Sequence, residues 1–516
     1  MYSLAILVAL GVLALMLIYC IYMLYMHPFA KYPGPLSCRL CTARASYHAW
    51  IGDLHLDIWY CHQRYGNIVR YGPNALLFNT TGATKDIYLK GQSVTKPRFY
   101  QRLERSKANI LTILDDKEHG FRQRLLGQGL TPLSLERVED RMRTHVRNLC
   151  ASLSSTEDGS WGPPLDMAEW CNYLTFDIMA DIVFGAQSGL LTEPANRYLV
   201  EDIDVSAKRA FCLICTPLLF IGRMDRWVFP EAVRARRRFL GFVDQLVEQG
   251  LAKGTAAKGA IFTSLLSLRD TETQRTLDRQ SILSEATALT VAGFDTTAVA
   301  LCALFFYLSR YPTIYEKLAL EIRTQFSSPD SIRSGKILSS CWYLQACIHE
   351  VLRISPSVST GLFRETKPGG TKIDGHFVPG GSLVGTGIYS IHHNQEYFQQ
   401  PHDFIPERWL DNNDGRAMTM STHCAAAYMP FSRGARSCLG KSLAYWELLV
   451  TIASVIWSYD FRPAPGRAGE VGCGNLLASS PGRRNPLEFQ LFDRGTCGKK
   501  GPVLQFRRRE GSADCR

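Results

Sequence analysis

Phe431-Ser432-Arg433-Gly434-Ala435-Arg436-Ser437-Cys438-Leu439-Gly440 is the stretch on which the reading of this chain turns. It runs into Leu443, Trp446, Leu449 and Val450, an apolar spacing that predicts a helix starting just after Cys438. A cysteine taken alone is usually a small buried hydrophobe. At a helix start, however, backbone N–H groups and the helix dipole stabilise a thiolate, and Arg436 two residues earlier adds positive charge. Gly434 and Gly440 permit backbone conformations, and a close approach to a flat ligand, that a β-carbon would block. Zinc and iron–sulfur sites need several clustered cysteines, and only the more distant Cys424 lies anywhere near.

Outward from this loop, composition narrows the class. The chain has 516 residues, is 46% hydrophobic and 20% charged, and so can bury a large core. Its net charge of +11 suits an anionic membrane or an acidic partner. The one dense basic run, Arg507-Arg508-Arg509, reads as a solvated tail, and no nucleic-acid partner is expected. Sixteen cysteines spread over this length lack the density of a disulfide framework, which favours a reducing compartment.

Leu4 to Met26 carries no charged side chain and is long enough to cross a bilayer core of about 30 Å as a helix. It exceeds the apolar run of about 7–15 residues in a cleaved signal peptide, and no small-residue cleavage site follows. Lys31, Arg39 and Arg44 lie after the span and no Lys or Arg before it, which places the following chain in the cytosol. The sequon Asn79-Thr80-Thr81 is then expected to stay unglycosylated. Tyr32-Pro33-Gly34-Pro35 forbids helix continuation and predicts a stiff hinge. The expected organisation is a transmembrane anchor over 1–26, a hinge over 27–40 and one catalytic domain over 41–516.

Asn67 to Asn79 alternates around Gly72-Pro73-Asn74 and predicts a β-hairpin, whereas most of Leu135 to Leu251 predicts helices, as in Trp170-Leu174-Ile178-Ile182. The expected fold class is mainly α with a small β portion. Ser281 to Arg310 predicts one helix of about 45 Å. It is apolar enough for a second span, but Asp295, Thr296 and Thr297 near its middle argue for a buried helix with a polar midpoint.

Phe431 to Gly440 resembles the haem-binding loop of the cytochrome P-450 family, and the resemblance runs from about Tyr32 to Arg509. It implies haem b with Cys438 as the iron ligand, Arg436 on a propionate, and Phe431 and Gly440 as parts of the cradle. Ala292-Gly293-Phe294-Asp295-Thr296-Thr297 resembles the family's oxygen-activation segment. That implies room for dioxygen at Gly293, proton delivery by Thr296 and a link towards solvent at Asp295. The competing reading is that Thr296 simply back-bonds to a carbonyl in its own helix. Glu350-Val351-Leu352-Arg353 with Arg408 in Pro406-Glu407-Arg408-Trp409 resembles the family's Glu-Arg-Arg structural triad. Arg364 and His119 match further propionate contacts, and Arg124 is preferred to Arg122 as the arginine beside His119. Adjacent residues such as His392-His393 diverge in most backbone geometries, and the pair reads as structural.

Together these imply a monooxygenase of the endoplasmic reticulum membrane with its catalytic domain in the cytosol. No flavin or nicotinamide fingerprint is apparent, so electrons are expected from a separate NADPH-cytochrome reductase, with cytochrome b5 as a further donor. Arg433 and Lys441 flank the loop and could dock an acidic flavin domain. The apolar run Phe211 to Ile221 suggests a membrane-touching entrance for a lipophilic small molecule. The overall pattern is similar to fungal enzymes tailoring terpenoids, polyketides or alkaloids. Rival readings are a haem-thiolate isomerase or dehydratase, a non-catalytic haem-binding membrane protein, and a multispan transporter.

Overall fold

Tyr2–Ile21 is a continuous helix that the computed structural model leaves standing away from the rest of the chain, with a π-helical turn, Tyr22–Met26, at its end. The apolar segment Leu4–Met26 has a mean hydropathy of 2.9, and its most apolar window is fully exposed, whereas Met23 near its end is buried. The structure describes residues 2–90, 93–104, 107–153, 159–252, 261, 269–270, 272–411 and 422–509. Helix accounts for 60% and strand for 9%, which makes the class mainly α with small sheets.

The expected hinge is not a free joint. Arg70, fully buried, donates to the Met23 carbonyl at 2.7 Å, and its own N–H bonds Pro33 at 2.7 Å. Phe29 and Tyr32 are buried, and a β-carbon on Gly34 would overlap the Arg70 carbonyl. The helical segment has already ended at Met26, ahead of these prolines, and packing on Arg70 fixes the direction in which the chain leaves it.

Arg279–Arg310 is the axial helix, and it starts two residues earlier than its apolar pattern because the Asp278 carboxylate caps the Ser281 N–H at 2.8 Å. Two thirds of its most apolar window is buried, so its hydropathy reflects a protein core rather than lipid. It lies along Met167–Phe184, with Phe176 and Phe294 edge to face at 5.5 Å, and against Trp342–Ile354 and Lys441–Ser458. Full burial of each such ring contributes about 1.5–3 kcal/mol.

The hairpin forms as its alternation predicts: Ile68–Gly72 pairs antiparallel with Ala75–Phe78, Val69 opposite Leu77. Asn79 at its end is buried, which closes the sequon to modification in the folded chain. The sheet continues through Leu383–Gly385 (parallel), Arg364–Thr366 and Val94–Thr95 (both antiparallel). Its last pairing sets Thr95 opposite Glu365, and the same register carries Lys96 alongside Arg364.

Candidate active site

The loop from Phe431 closes on itself: the Cys438 N–H donates to the Phe431 carbonyl at 2.9 Å, and Lys441–Ser458 follows as a helix. Gly434 sits at φ +70, and a β-carbon there would overlap the Tyr88 carbonyl oxygen. Its close approach is therefore to this neighbouring backbone, not to a flat ligand. The Cys438 sulfur is accessible yet surrounded by protein, so it faces an internal space. Burial pushes the thiol pKa up, against the Gly440 N–H and the Lys441 ammonium, which lower it. Desolvation outweighs both of these.

Arg436 does not supply that charge. Its guanidinium donates to the Ile113 and Leu114 carbonyls, each at 2.8 Å, and to Asp116 at 2.9 Å. It belongs to a second cluster with Arg364, Lys96 and His119. Arg364 is buried, among the described residues donates only to the adjacent Phe363 carbonyl at 3.0 Å, and lies over the Tyr88 ring. Lys96 donates to the Leu111 carbonyl, and burial followed by repulsion from Arg436 and Arg364 brings its pKa down to about 7. His119 is brought down to about 4 by burial, then by Arg436 and Lys96. Like charges side by side across strands are destabilising, so this cluster is built for an anion. Lys96 escaped sequence reasoning because nothing local marks it; only the strand register sets it beside Arg364.

Arg124 is a correction. Its guanidinium is held by Asp270 at 2.9 and 3.1 Å and by Glu272 at 3.2 Å. Arg122 is equally committed, to Glu285 at 2.8 Å and Glu118 at 3.1 Å. Carboxylates on neighbouring segments outcompete a distant cluster that is already positive.

On the axial helix, a β-carbon at Gly293 would meet the flexible end of the Met179 side chain, so the glycine lets that side chain pack close against the helix. The Thr296 hydroxyl donates to the Ala292 carbonyl at 2.8 Å, the back-bond of the competing reading. The hydroxyl oxygen, on a half-buried residue, keeps its lone pairs free to accept. Ser357 caps the Thr296 carbonyl at 2.7 Å. Asp295 is not an open link to solvent: the Thr496 hydroxyl and the buried Lys499 ammonium, the latter at 3.3 Å, both hold its carboxylate. Lys499, with a side chain only 3% exposed, needs that counter-charge.

Glu350, Arg353 and Arg408 come together. Arg353 donates to both Glu350 oxygens at 2.9 and 2.8 Å, and Arg408 Nε reaches Oε1 at 3.0 Å. The Trp409 indole N–H adds 2.8 Å and the Ile405 N–H 3.0 Å. Burial alone would raise the Glu350 pKa, but Arg353 and Arg408 hold it below the usual range. Arg433 differs from expectation: its guanidinium turns inward to the Ala425 and Tyr428 carbonyls, leaving Lys441 as the exposed cation beside the loop.

Glu447 is fully buried beside the Thr297 hydroxyl, and burial pushes its pKa up to about 8, against that hydroxyl, which lowers it. In the unfolded chain it ionises around 4.5, so the native state binds the extra proton between those values. Its contribution is full below about pH 4.5 and is lost as pH rises through about 8. Glu447→Gln, neutral throughout, is expected to flatten the fall in thermal stability between about pH 6 and 8.5. Parallel stability curves for wild type and variant would contradict this.

A mostly helical body that offers one cysteine sulfur to an internal space, with an anion-seeking cation cluster beside it, defines a haem-thiolate protein. A family model described as cytochrome P-450 matches residues 44–474. Cytochrome P-450 monooxygenase poxM of Penicillium oxalicum is 40% identical over 494 residues, covering 95% of this chain and 92% of that protein. The monooxygenases AKT7 of Alternaria alternata, at 38%, and atnE of Emericella nidulans, at 37%, each cover 95% of this chain and 94% of their own length. The chain belongs to the cytochrome P-450 family and is an oxygen-incorporating oxidoreductase.

Proposed function

We propose that this protein is a monooxygenase of the endoplasmic reticulum membrane, taking electrons from an NADPH-cytochrome reductase, with cytochrome b5 as a second donor. Its substrate is a lipophilic small molecule, an intermediate of fungal secondary metabolism of terpenoid, polyketide or alkaloid type. The observation that carries the reading is the pairing of an accessible internal sulfur at Cys438 with the cations Lys96, Arg364 and Arg436. Haem b fits this donor set: Cys438 would ligate its iron, Lys96, Arg364 and Arg436 would offset the charge of its two carboxylates, and neutral His119 would donate a hydrogen bond to one of them. Bound in this way, it supplies dioxygen activation assisted by thiolate electron donation.

The chain's own residues do the rest. The Gly440 N–H and Lys441 stabilise negative charge on sulfur. Thr296 presents an acceptor oxygen towards the internal space, and its back-bond to Ala292 fixes the direction of its proton. Asp295, tied to Lys499 and Thr496, joins the axial helix to the C-terminal hairpin of Phe492–Arg494 and Thr496–Gly498 and positions Thr296 beside it. At the surface, Phe211 to Leu213 are buried, and the exposed apolar residues lie further on: Leu218, Ile221, Met224 and Trp227, the last 87% exposed. Such a cluster on a chain with an apolar anchor suits an entrance resting on lipid.

Thr296→Ala tests the oxidative reading. The reduced carbon monoxide spectrum should stay intact while product per NADPH falls about tenfold or more and peroxide rises. Unchanged coupling would remove Thr296 from proton delivery, and turnover without NADPH would establish isomerisation or dehydration instead.

A further inference from the structure

His392 and His393 are adjacent, but the short helix Ile388–His392 turns them into different surroundings. His392 uses both ring nitrogens: Nδ1 donates to the Arg353 carbonyl at 3.1 Å, and Nε2 accepts the Met429 N–H at 3.0 Å. His393 uses one. Its Nδ1 donates to the Tyr389 carbonyl at 2.8 Å, which leaves the Nε2 lone pair free, and that nitrogen is buried without a hydrogen-bond partner. An imidazole whose Nδ1–H is fixed by a backbone carbonyl is oriented as a metal ligand is.

Two further donors converge on it. The His402 ring lies 4.8 Å from that of His393, and His402 Nδ1 is 3.7 Å from Glu488 Oε2. One ligand atom from each of the three residues lies within 4.8 Å of the others. The other oxygen of Glu488 accepts the Tyr389 hydroxyl at 2.5 Å, so Tyr389 orients two members of the set at once. The His402 side chain is 36% exposed, which gives an ion a path from solvent and leaves the ring free to close.

We infer that His393, His402 and Glu488 form a zinc site separate from the Cys438 centre. Two imidazoles and one carboxylate are a borderline-soft set that suits Zn2+, with water completing a tetrahedron at ligand distances of about 2.0–2.2 Å. The ion clips the segment after Ile388–His392 to the C-terminal segment containing Glu488. The carbonyls of Pro401 and Asp403, which with that of His392 hold the Arg353 guanidinium, lie in the first of these. The site therefore braces the cage around the buried triad.

The test uses the haem-loaded full chain in detergent, titrated with ZnCl2 by calorimetry and by thermal unfolding. Wild type should bind one more equivalent than His402→Ala and gain thermal stability that the variant does not. Glu488→Gln, which keeps an acceptor for the Tyr389 hydroxyl, should weaken that binding about 10-fold or more. Both variants should keep the reduced carbon monoxide spectrum of wild type. Equal zinc stoichiometry and equal stabilisation in wild type and His402→Ala would overturn the site.

Discussion

Cys438→Ala is expected to abolish the red-shifted thiolate Soret band of the reduced carbon monoxide complex while leaving the helical content of the protein intact. The sulfur projects into an internal space, and it is the backbone that closes the loop, through the Cys438 N–H on the Phe431 carbonyl. Removing the sulfur costs the fold little. The chemistry loses everything, because the loop holds a single cysteine: Cys424, the nearest in sequence, directs its sulfur to the Tyr397 carbonyl at 2.9 Å. Far-ultraviolet circular dichroism and the difference spectrum, measured on the same preparation, separate the two effects. A thiolate band surviving in the variant would make the assignment of Cys438 wrong.

Arg353→Ala is expected to do the opposite, destroying the fold before the chemistry. Glu350 and Arg353 both have side chains at 0% exposure. Truncating one partner of a buried ion pair leaves an uncompensated charge, which costs about 3–5 kcal/mol. It also strips donors from the His392, Pro401 and Asp403 carbonyls. Against a total stability of about 5–15 kcal/mol this is a large fraction. Arg408 gives Glu350 a single bond at 3.0 Å and its side chain is 14% exposed, so Arg408→Ala should cost about 1–3 kcal/mol. Urea midpoints for the two variants give the ranking. Equal destabilisation would mean that Glu350 does not depend chiefly on Arg353.

These two residues also show what a linear pattern can and cannot carry. The Cys438 loop, the anchor, the hairpin at Gly72-Pro73 and the axial helix were legible because each is local: helix period, strand alternation and turn chemistry act within a few residues. The grouping of Glu350 and Arg353 with Arg408 was legible only through resemblance, since more than fifty positions separate the last from the others. Side-chain direction was less legible still. Arg436 was expected beside Cys438 and instead reaches the Ile113 and Leu114 carbonyls, whereas Lys441 acts on the thiol. Nothing in the linear pattern showed that Gly293 also makes room for the Met179 side chain.

By itself, then, the sequence determined the helical class, the apolar span of Leu4–Met26 and the cysteine that faces the internal space. Tertiary structure decided which charges meet. Strand register brought Lys96 beside Arg364, the C-terminal hairpin laid Lys499 on Asp295, and Asp270 drew Arg124 away from the cation cluster. Secondary structure follows from forces between near neighbours. The partner of a charge depends on which groups burial leaves without water, and that is settled only when distant segments close upon one another.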